Sequence, residues 1–368
     1  MDKIKVLHIL NTTDIGGAES LFLNICKYID KRKYEFTVFS FQKGILEEEF
    51  KKLTEKKDLD DPAPFTLRSF RAMEIIIKKK KIDIIHAHLQ KPELYGFLLK
   101  IKHPKIKFLI EKGNINDYRK KLFWRLANGL IIKAADKVVL TSKSIKEFTR
   151  KTEFAPEKKL EVIYGGVNLE EIDKKQKTIK RDHVRKKLGL GKKDKAIISV
   201  GRLVKEKGYD HLIKAVKELL KTDPNYKLLI VGDGYMKKEL EEQIKKLRLN
   251  NHIDLLGERK DVVSLLKAAD VYCASSVKEG LGVAAIEAMA LEVPVVSTTA
   301  GGLPEVVGDT GILVKPGNSK QLARGIEDLF KRKDRKDLVK QARQRVEKNF
   351  SIKVAAKTYE KLYAHMLK

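Results

Sequence analysis

Short β-branched runs separated by amphipathic segments recur along the whole chain, and this alternation restricts the fold more than any other feature. In the first half the strand candidates are KVLHIL (5–10), EFTVFSF (35–41), IDIIHAHL (82–89), KFLIE (107–111), KVVLTS (137–142) and EVIY (161–164). Helical patterns such as AESLFLNICKYI (18–29) and SKSIKEFTRKT (142–152) lie between them. Strands joined through helices run parallel, and a parallel sheet needs cover on both faces. After a basic, apolar-poor stretch, KKQKTIKRDHVRKKLGLGKKDK (174–195), a second series follows: AIISVG (196–201), YKLLIVG (226–232), IDLLG (253–257), DVYCAS (270–275), PVVST (294–298) and GILVK (311–315). A chain of 368 residues exceeds one ordinary core. The pattern predicts an α/β protein of two doubly wound, Rossmann-like domains facing across a cleft, residues 1–170 and 171–350. A last helical stretch, 351–368, has no following strand and is free to pack back on the first domain.

Composition narrows the function classes. The formal charge of +28 fits nucleic acid, an anionic membrane surface, or a lysine-rich style of sequence. Its distribution is uneven: residues 101–150 hold 13 Lys/Arg against 4 Asp/Glu, whereas residues 251–300 hold 4 against 7. That asymmetry predicts a basic face on the first domain. No zinc-finger, helix-turn-helix or aromatic-and-basic pattern supports a nucleic-acid partner. No apolar run is long enough to span a bilayer, and the first apolar segment reads as a strand rather than a leader. Cys26 and Cys273 sit in apolar segments and are read as core residues of a cytoplasmic protein. No metal-ligand cluster stands out.

Ligands of open parallel sheets bind at the carboxyl ends of the strands, so chemistry belongs in the loops that follow them. Strand 196–201 ends in VGRLVKEKGYDHL, where Arg202 and Lys207 lie between Gly201 and Gly208. Two cations across such a turn converge on a polyanion, although in a lysine-rich chain two surface cations are as often only solvated. Strand 270–275 runs into SSVKEGLGVAAIEAMA. Gly280-Leu281-Gly282 allows a ligand to approach backbone N–H groups at a helix start. Glu279 precedes those glycines, and Glu287 lies in a helix whose neighbours are Val283, Ala284, Ala290 and Leu291. A buried unpaired carboxylate is costly, and sugar or ribose hydroxyls would satisfy it. In the first domain Gly16-Gly17 follows the first strand, without the G-x-G-x-x-G spacing of a dinucleotide site.

These motifs, in this order, resemble the retaining glycosyltransferases of the GT-B fold, family four, whose signature is Glu-x7-Glu. Here it reads EGLGVAAIE, from Glu279 to Glu287, supported by VGRLVKEKGYDHLIKA, VGDG (231–234), KAADVYCASS, AGGLPEVV, GGAE (16–19), AADKVVLTS and VIYGGV. The resemblance implies a nucleotide-diphosphate sugar bound mainly by the second domain and an acceptor bound mainly by the first. It also implies transfer with retention and no metal or other cofactor. Arg202 and Lys207 would bind the diphosphate, Glu279 the donor sugar and Glu287 the ribose. Gly280–Gly282 would complete the phosphate site, with Gly16 and Gly17 closing against it. The departing phosphate would take the acceptor proton, so no side-chain base is nominated. Where members carry a histidine near the sugar this chain has Lys112, and the usual Asn-Gly after the linker strand is Gly165-Gly166. His86 and His88 are weak candidates for acceptor binding.

YRKKLFWRLANGLIIKAAD (118–136) mixes Arg119, Lys120, Lys121 and Arg125 with Leu122, Phe123 and Trp124. As a helix it would suit an anionic bilayer surface, unless Phe123 and Leu126 face the core. The leading expectation is a hexosyltransferase using a UDP-sugar and a cell-envelope glycan or lipid-linked acceptor, cytoplasmic and peripheral on the inner membrane face. GDP-mannose is the runner-up donor. A sugar-nucleotide epimerase of the same fold and a basic nucleic-acid-binding protein are the alternatives.

Overall fold

The computed structural model describes residues 3–14, 17–53, 66–114 and 121–368. The chain divides into two compact units, Met1–Gly166 with Ile352–Lys368, and Val167–Ser351. Each is built on a six-stranded parallel sheet, and each predicted strand lies within or overlaps an observed one. In the first unit the strands are β1 (Ile4–Thr12), β2 (Tyr34–Gln42), β3 (Ile84–His88), β4 (Lys107–Lys112), β5 (Lys137–Leu140) and β6 (Leu160–Val162), in the order β2-β1-β3-β4-β5-β6. In the second they are β7 (Lys195–Val200), β8 (Tyr226–Val231), β9 (Ile253–Leu255), β10 (Val271–Ala274), β11 (Val295–Thr298) and β12 (Ile312–Val314), in the order β12-β11-β10-β7-β8-β9. The architecture is α/β and doubly wound: central strands are buried on both faces, which is why their sequences are continuous apolar runs rather than alternating ones.

The two ends of each unit show how cover is supplied. One face of the first sheet is closed by the helix Gly17–Tyr28 and by the C-terminal helix Ile352–Met366, whose Tyr359, Tyr363 and Met366 share a core with Val6, Phe22, Phe36 and Leu109. The basic stretch 174–195 is not a bare linker. It ends the helix Leu169–Lys177 and forms the helix Arg181–Lys187 of the second unit, and buried Arg185 holds the carbonyls of Ala268, Gly191 and Asp194. A guanidinium has five donors in a fixed fork, which suits it to tie three backbone acceptors at once. Both cysteines are buried and unpaired.

Candidate functional site

In the second sheet β7 leads to β8 and β9 on one side, while β10, its other neighbour, leads to β11 and β12 on the opposite side. Loops diverge at such a switch point and leave room for a ligand. The loops after β7 and β10 meet there and are stitched together. The N–H groups of Val277 and Lys278 donate to the Glu206 carbonyl at 2.8 and 3.1 Å, and Ser275 Oγ donates to the Lys207 carbonyl at 2.8 Å. Gly208 (φ 62°) opens the helix Tyr209–Leu219 with its Cα pressed on the Ser275 carbonyl, where a Cβ would collide. At Gly201 a Cβ would stand 3.1 Å from Lys207 Cε and 3.2 Å from the Tyr209 hydroxyl. Glycine therefore lets the Lys207 side chain lie back over the end of β7.

That placement brings Lys207 Nζ to 2.7 Å from Glu279 Oε2, which also accepts a 2.9 Å hydrogen bond from Ser276 Oγ. Thr298 Oγ1, at the end of β11, donates to the Ser276 carbonyl at 2.6 Å. The Gly302 N–H donates to the Gly280 carbonyl at 3.2 Å, and Gly301 (φ 54°) abuts the Glu279 backbone so closely that a Cβ would overlap its carbonyl. Leu281 is buried. Gly282 (φ 95°) starts the helix Val283–Ala290, and a Cβ on it would come within 2.6 Å of Leu303 Cδ2. Three strand-end loops thus fix one carboxylate and one ammonium.

Two groups on the same loops and helix have no hydrogen bond or ion pair among the described residues. Arg202 is exposed, and among the described residues its guanidinium makes no hydrogen bond or ion pair. Glu287 is half-buried on the helix Val283–Ala290 and likewise has no partner for its carboxyl among the described residues. Burial pushes its pKa from 4.5 up to about 7, with Lys175 opposing only weakly. A free guanidinium, a fixed ammonium and two carboxylates can hold an anion beside hydroxyl groups. Lys207, Glu279 and Gly280–Gly282 are brought together. Gly17 opens the helix Gly17–Tyr28 in the other unit, and Gly16 lies outside the described residues, as do Arg119 and Lys120. The sequence reading passed over Ser276, Ser275, Tyr209 and Thr298, because serine, threonine and tyrosine at strand ends carry no spacing signal of their own.

One expectation for the first unit is corrected. His86 and His88 are 1% and 2% exposed, His86 packed beneath Tyr359 and Tyr363 of the C-terminal helix and His88 against Phe22, rather than open to an acceptor. Burial, and then the neighbouring His88, lowers His86 to about 4, so it is neutral at physiological pH. Lys112, where the resemblance would place a histidine, is also buried and is clamped by Glu153 at 2.6 Å and Glu93 at 3.2 Å. The buried ammonium is thus not left uncompensated. His8, which the sequence reading did not single out, lies beside His86 and His88 across the sheet.

Two protein families account for most of the chain. Residues 180–345 match the model of glycosyl transferases group 1, and residues 15–171 match that of glycosyltransferase family 4. An uncharacterised glycosyltransferase of Methanocaldococcus jannaschii is 32% identical over 294 residues, 74% of this chain and 72% of its own length. The capsular polysaccharide biosynthesis glycosyltransferase CapM of Staphylococcus aureus is 27% identical over 313 residues, 82% of each chain. The crystal structure of Anabaena HepE in complex with UDP superposes with a TM-score of 0.84 at 21% identity, covering 98% of this chain and 100% of that one. With two doubly wound parallel sheets and these relatives, the chain belongs to the glycosyltransferases of the GT-B fold.

Proposed function

We propose that the chain transfers a hexose from a UDP-sugar to a glycan or lipid-linked acceptor of the cell envelope, with retention at the anomeric carbon and no metal at the transfer site. The observation that carries this reading is the Lys207–Glu279 pair fixed at the switch point of the second sheet, with Arg202 on the loop that carries Lys207 and Glu287 on the helix that follows the Glu279 loop, both without a hydrogen bond or ion pair among the described residues. Arg202 and Lys207 grip the diphosphate and stabilise the charge that builds on it as the glycosidic bond breaks, the electrostatic part of catalysis. Glu279, released from Lys207 by the phosphate, accepts hydroxyl groups of the donor sugar. Glu287 accepts the ribose hydroxyls and is thereby given the partners the free protein denies it. The backbone at Gly280–Gly282 comes close to the phosphates because two glycines leave no side chain in the way. The departing diphosphate takes the proton of the acceptor hydroxyl, so no side-chain base is required. UDP in complex with HepE supports the choice of base.

The acceptor side belongs to the first unit, which we place on an anionic membrane surface at the cytoplasmic face. On the helix Leu122–Ala134, Leu122, Phe123, Leu126 and Leu130 are exposed, Phe123 by 72%, so these apolar residues do not face the core. Leu94, Leu98 and Ile101 form an exposed stripe on the helix Gln90–Lys102, which packs against it. Lys121, Arg125 and Lys133 flank this apolar surface, the combination that anionic lipid favours. No helix among the described residues is long and apolar enough to cross a membrane.

The test is a panel of sugar nucleotides scored for slow donor hydrolysis, with thermal-shift titration of UDP, GDP, ADP and an oligonucleotide. Hydrolysis of a UDP-sugar and stabilisation by UDP are expected. Stabilisation by the oligonucleotide alone would overturn the transferase reading for this chain, and a preference for GDP-mannose would overturn the choice of donor.

A further inference from the structure

The first sheet carries a cluster that the transfer reaction does not use. β1 and β3 pair with His8 opposite His86, and β3 and β4 pair with His88 opposite Glu111. Side chains two apart on a strand share a face, so all four groups point to one side of the sheet. They are buried there, His8 stacked on Phe22 at 3.9 Å and all three imidazoles 2% exposed or less. His8 Nδ1 lies 3.0 Å from His88 Nε2, and one ring nitrogen of each histidine lies within 4.8 Å of those of the other two. Glu111 Oε2 is 3.1 Å from His88 Nδ1 and 3.3 Å from His86 Nε2, and the Tyr363 hydroxyl is 2.9 Å from His86 Nδ1.

Polar satisfaction and charge both fall short in this cluster. Among the described residues, His8 Nε2, His86 Nε2 and His88 Nδ1 are buried and form no hydrogen bond of good geometry. Buried polar groups without partners are costly, and several in one place point to a missing ligand. No lysine or arginine pairs with Glu111 among the described residues, so a buried carboxylate also lacks a permanent counter-charge. A single proton on one ring would supply charge but would leave a ring nitrogen of His8 without a partner. A divalent ion supplies charge and takes lone pairs from several rings together. Neutral imidazoles favour zinc-like ions over magnesium or calcium, and a carboxylate behind the rings orients them.

We propose that His8, His86 and His88 bind one divalent transition-metal ion of the zinc type, His86 through Nε2, the nitrogen its Tyr363 contact leaves open, with Glu111 as the carboxylate that orients His88 through Nδ1. Metal–nitrogen bonds of about 2.0–2.1 Å require the rings to close inward by small side-chain rotations. The ion is structural. It fastens β1 to β3, reaches β4 through Glu111, and reaches the C-terminal helix through the Tyr363–His86 contact. The proposal is independent of the donor chemistry, whose residues belong to the second unit.

Because the cluster is buried, the ion enters during folding, and the test must allow for that. Full-length protein is denatured, stripped with a chelator, and refolded with Zn²⁺, with Co²⁺, or with chelator alone. After dialysis, elemental analysis should give one ion per chain, Co²⁺ should show visible absorption of a histidine-ligated ion, and the Zn²⁺ sample should melt higher than the chelator sample. His8→Phe, which keeps the stacking on Phe22, and His88→Gln should each lose the ion and the Zn²⁺-dependent shift. His183→Ala and His365→Ala, at exposed positions, should lose neither. Failure of the wild-type protein to retain Zn²⁺ or Co²⁺ overturns the proposal, and so does a full equivalent retained by the two cluster variants. Should those variants not fold, the wild-type stoichiometry and Co²⁺ spectrum still decide the matter.

Discussion

Lys207 is already neutralised by Glu279 at 2.7 Å, so a diphosphate must compete for an ammonium that has a partner. The pair is partly exposed and contributes little to folding, typically under about 1 kcal/mol. Its value lies in positioning. Lys207→Ala should therefore lower kcat by roughly 10²–10³, the usual cost of removing one charge-stabilising donor, while Tm hardly moves. Glu279→Gln should keep UDP binding and lose turnover, which steady-state kinetics beside a UDP titration will show. Glu287 behaves differently because burial raises it from 4.5 to about 7. A carboxyl with a raised folded-state pKa keeps its proton longer in the folded protein, so stability falls as pH rises from 4.5 to 7 and stays low above that. Glu287→Gln should melt higher than wild type at pH 8 and match it near pH 4.5, with a weaker thermal shift from UDP. Equal melting at pH 8 would show that Glu287 carries no such penalty.

At the scale of elements, the site depends on backbone that side chains would spoil. Gly301 adopts φ 54° with its Cα against the Glu279 carbonyl. Gly301→Ala adds backbone strain of about 1 kcal/mol and a clash with main chain that has no rotamer to escape into. It should cost activity more than tenfold by displacing Glu279, with a smaller loss of Tm. A surface element tells the opposite story: Leu122, Phe123 and Leu126 touch little, so replacing all three with serine should abolish pelleting with anionic vesicles at low salt and leave Tm unchanged. Pelleting that persists would remove the helix from the membrane contact. Much of this organisation was legible, since strands buried on both faces write themselves as apolar runs and the Glu279–Glu287 interval is a local pattern. What stayed hidden depends on register. His8 and His86 are 78 positions apart in sequence and become neighbours only when β1 pairs with β3. Lys112 looks like a strand-end site residue until Glu93 and Glu153 are seen to enclose it.

The whole chain crosses its own division twice, once at Gly166–Val167 and again at Ser351–Ile352, so the first unit is completed only by residues that follow the second. Those residues are structural. Ile352, Ala355, Ala356, Tyr359, Leu362, Tyr363 and Met366 are all buried against the first sheet and its helix Gly17–Tyr28. Tyr34 donates to the Glu360 carbonyl at 2.8 Å, and the Asp30 N–H donates to the Glu360 carboxylate at 2.7 Å. Burying a large apolar side chain contributes about 1.5–3 kcal/mol, so the helix contributes on the order of 10 kcal/mol. That is comparable with the whole stability of an ordinary domain, about 5–15 kcal/mol. Removing residues 352–368 should therefore unfold the first unit while the second, whose sheet and site lie within Val167–Ser351, keeps its core. Calorimetry of the truncated chain should show one remaining transition, and UDP should still raise it because the proposed donor residues Arg202, Lys207, Glu279 and Glu287 are all retained. Sugar transfer should be lost together with the first unit. A truncated chain that keeps both transitions would mean the helix only decorates a sheet already stable without it.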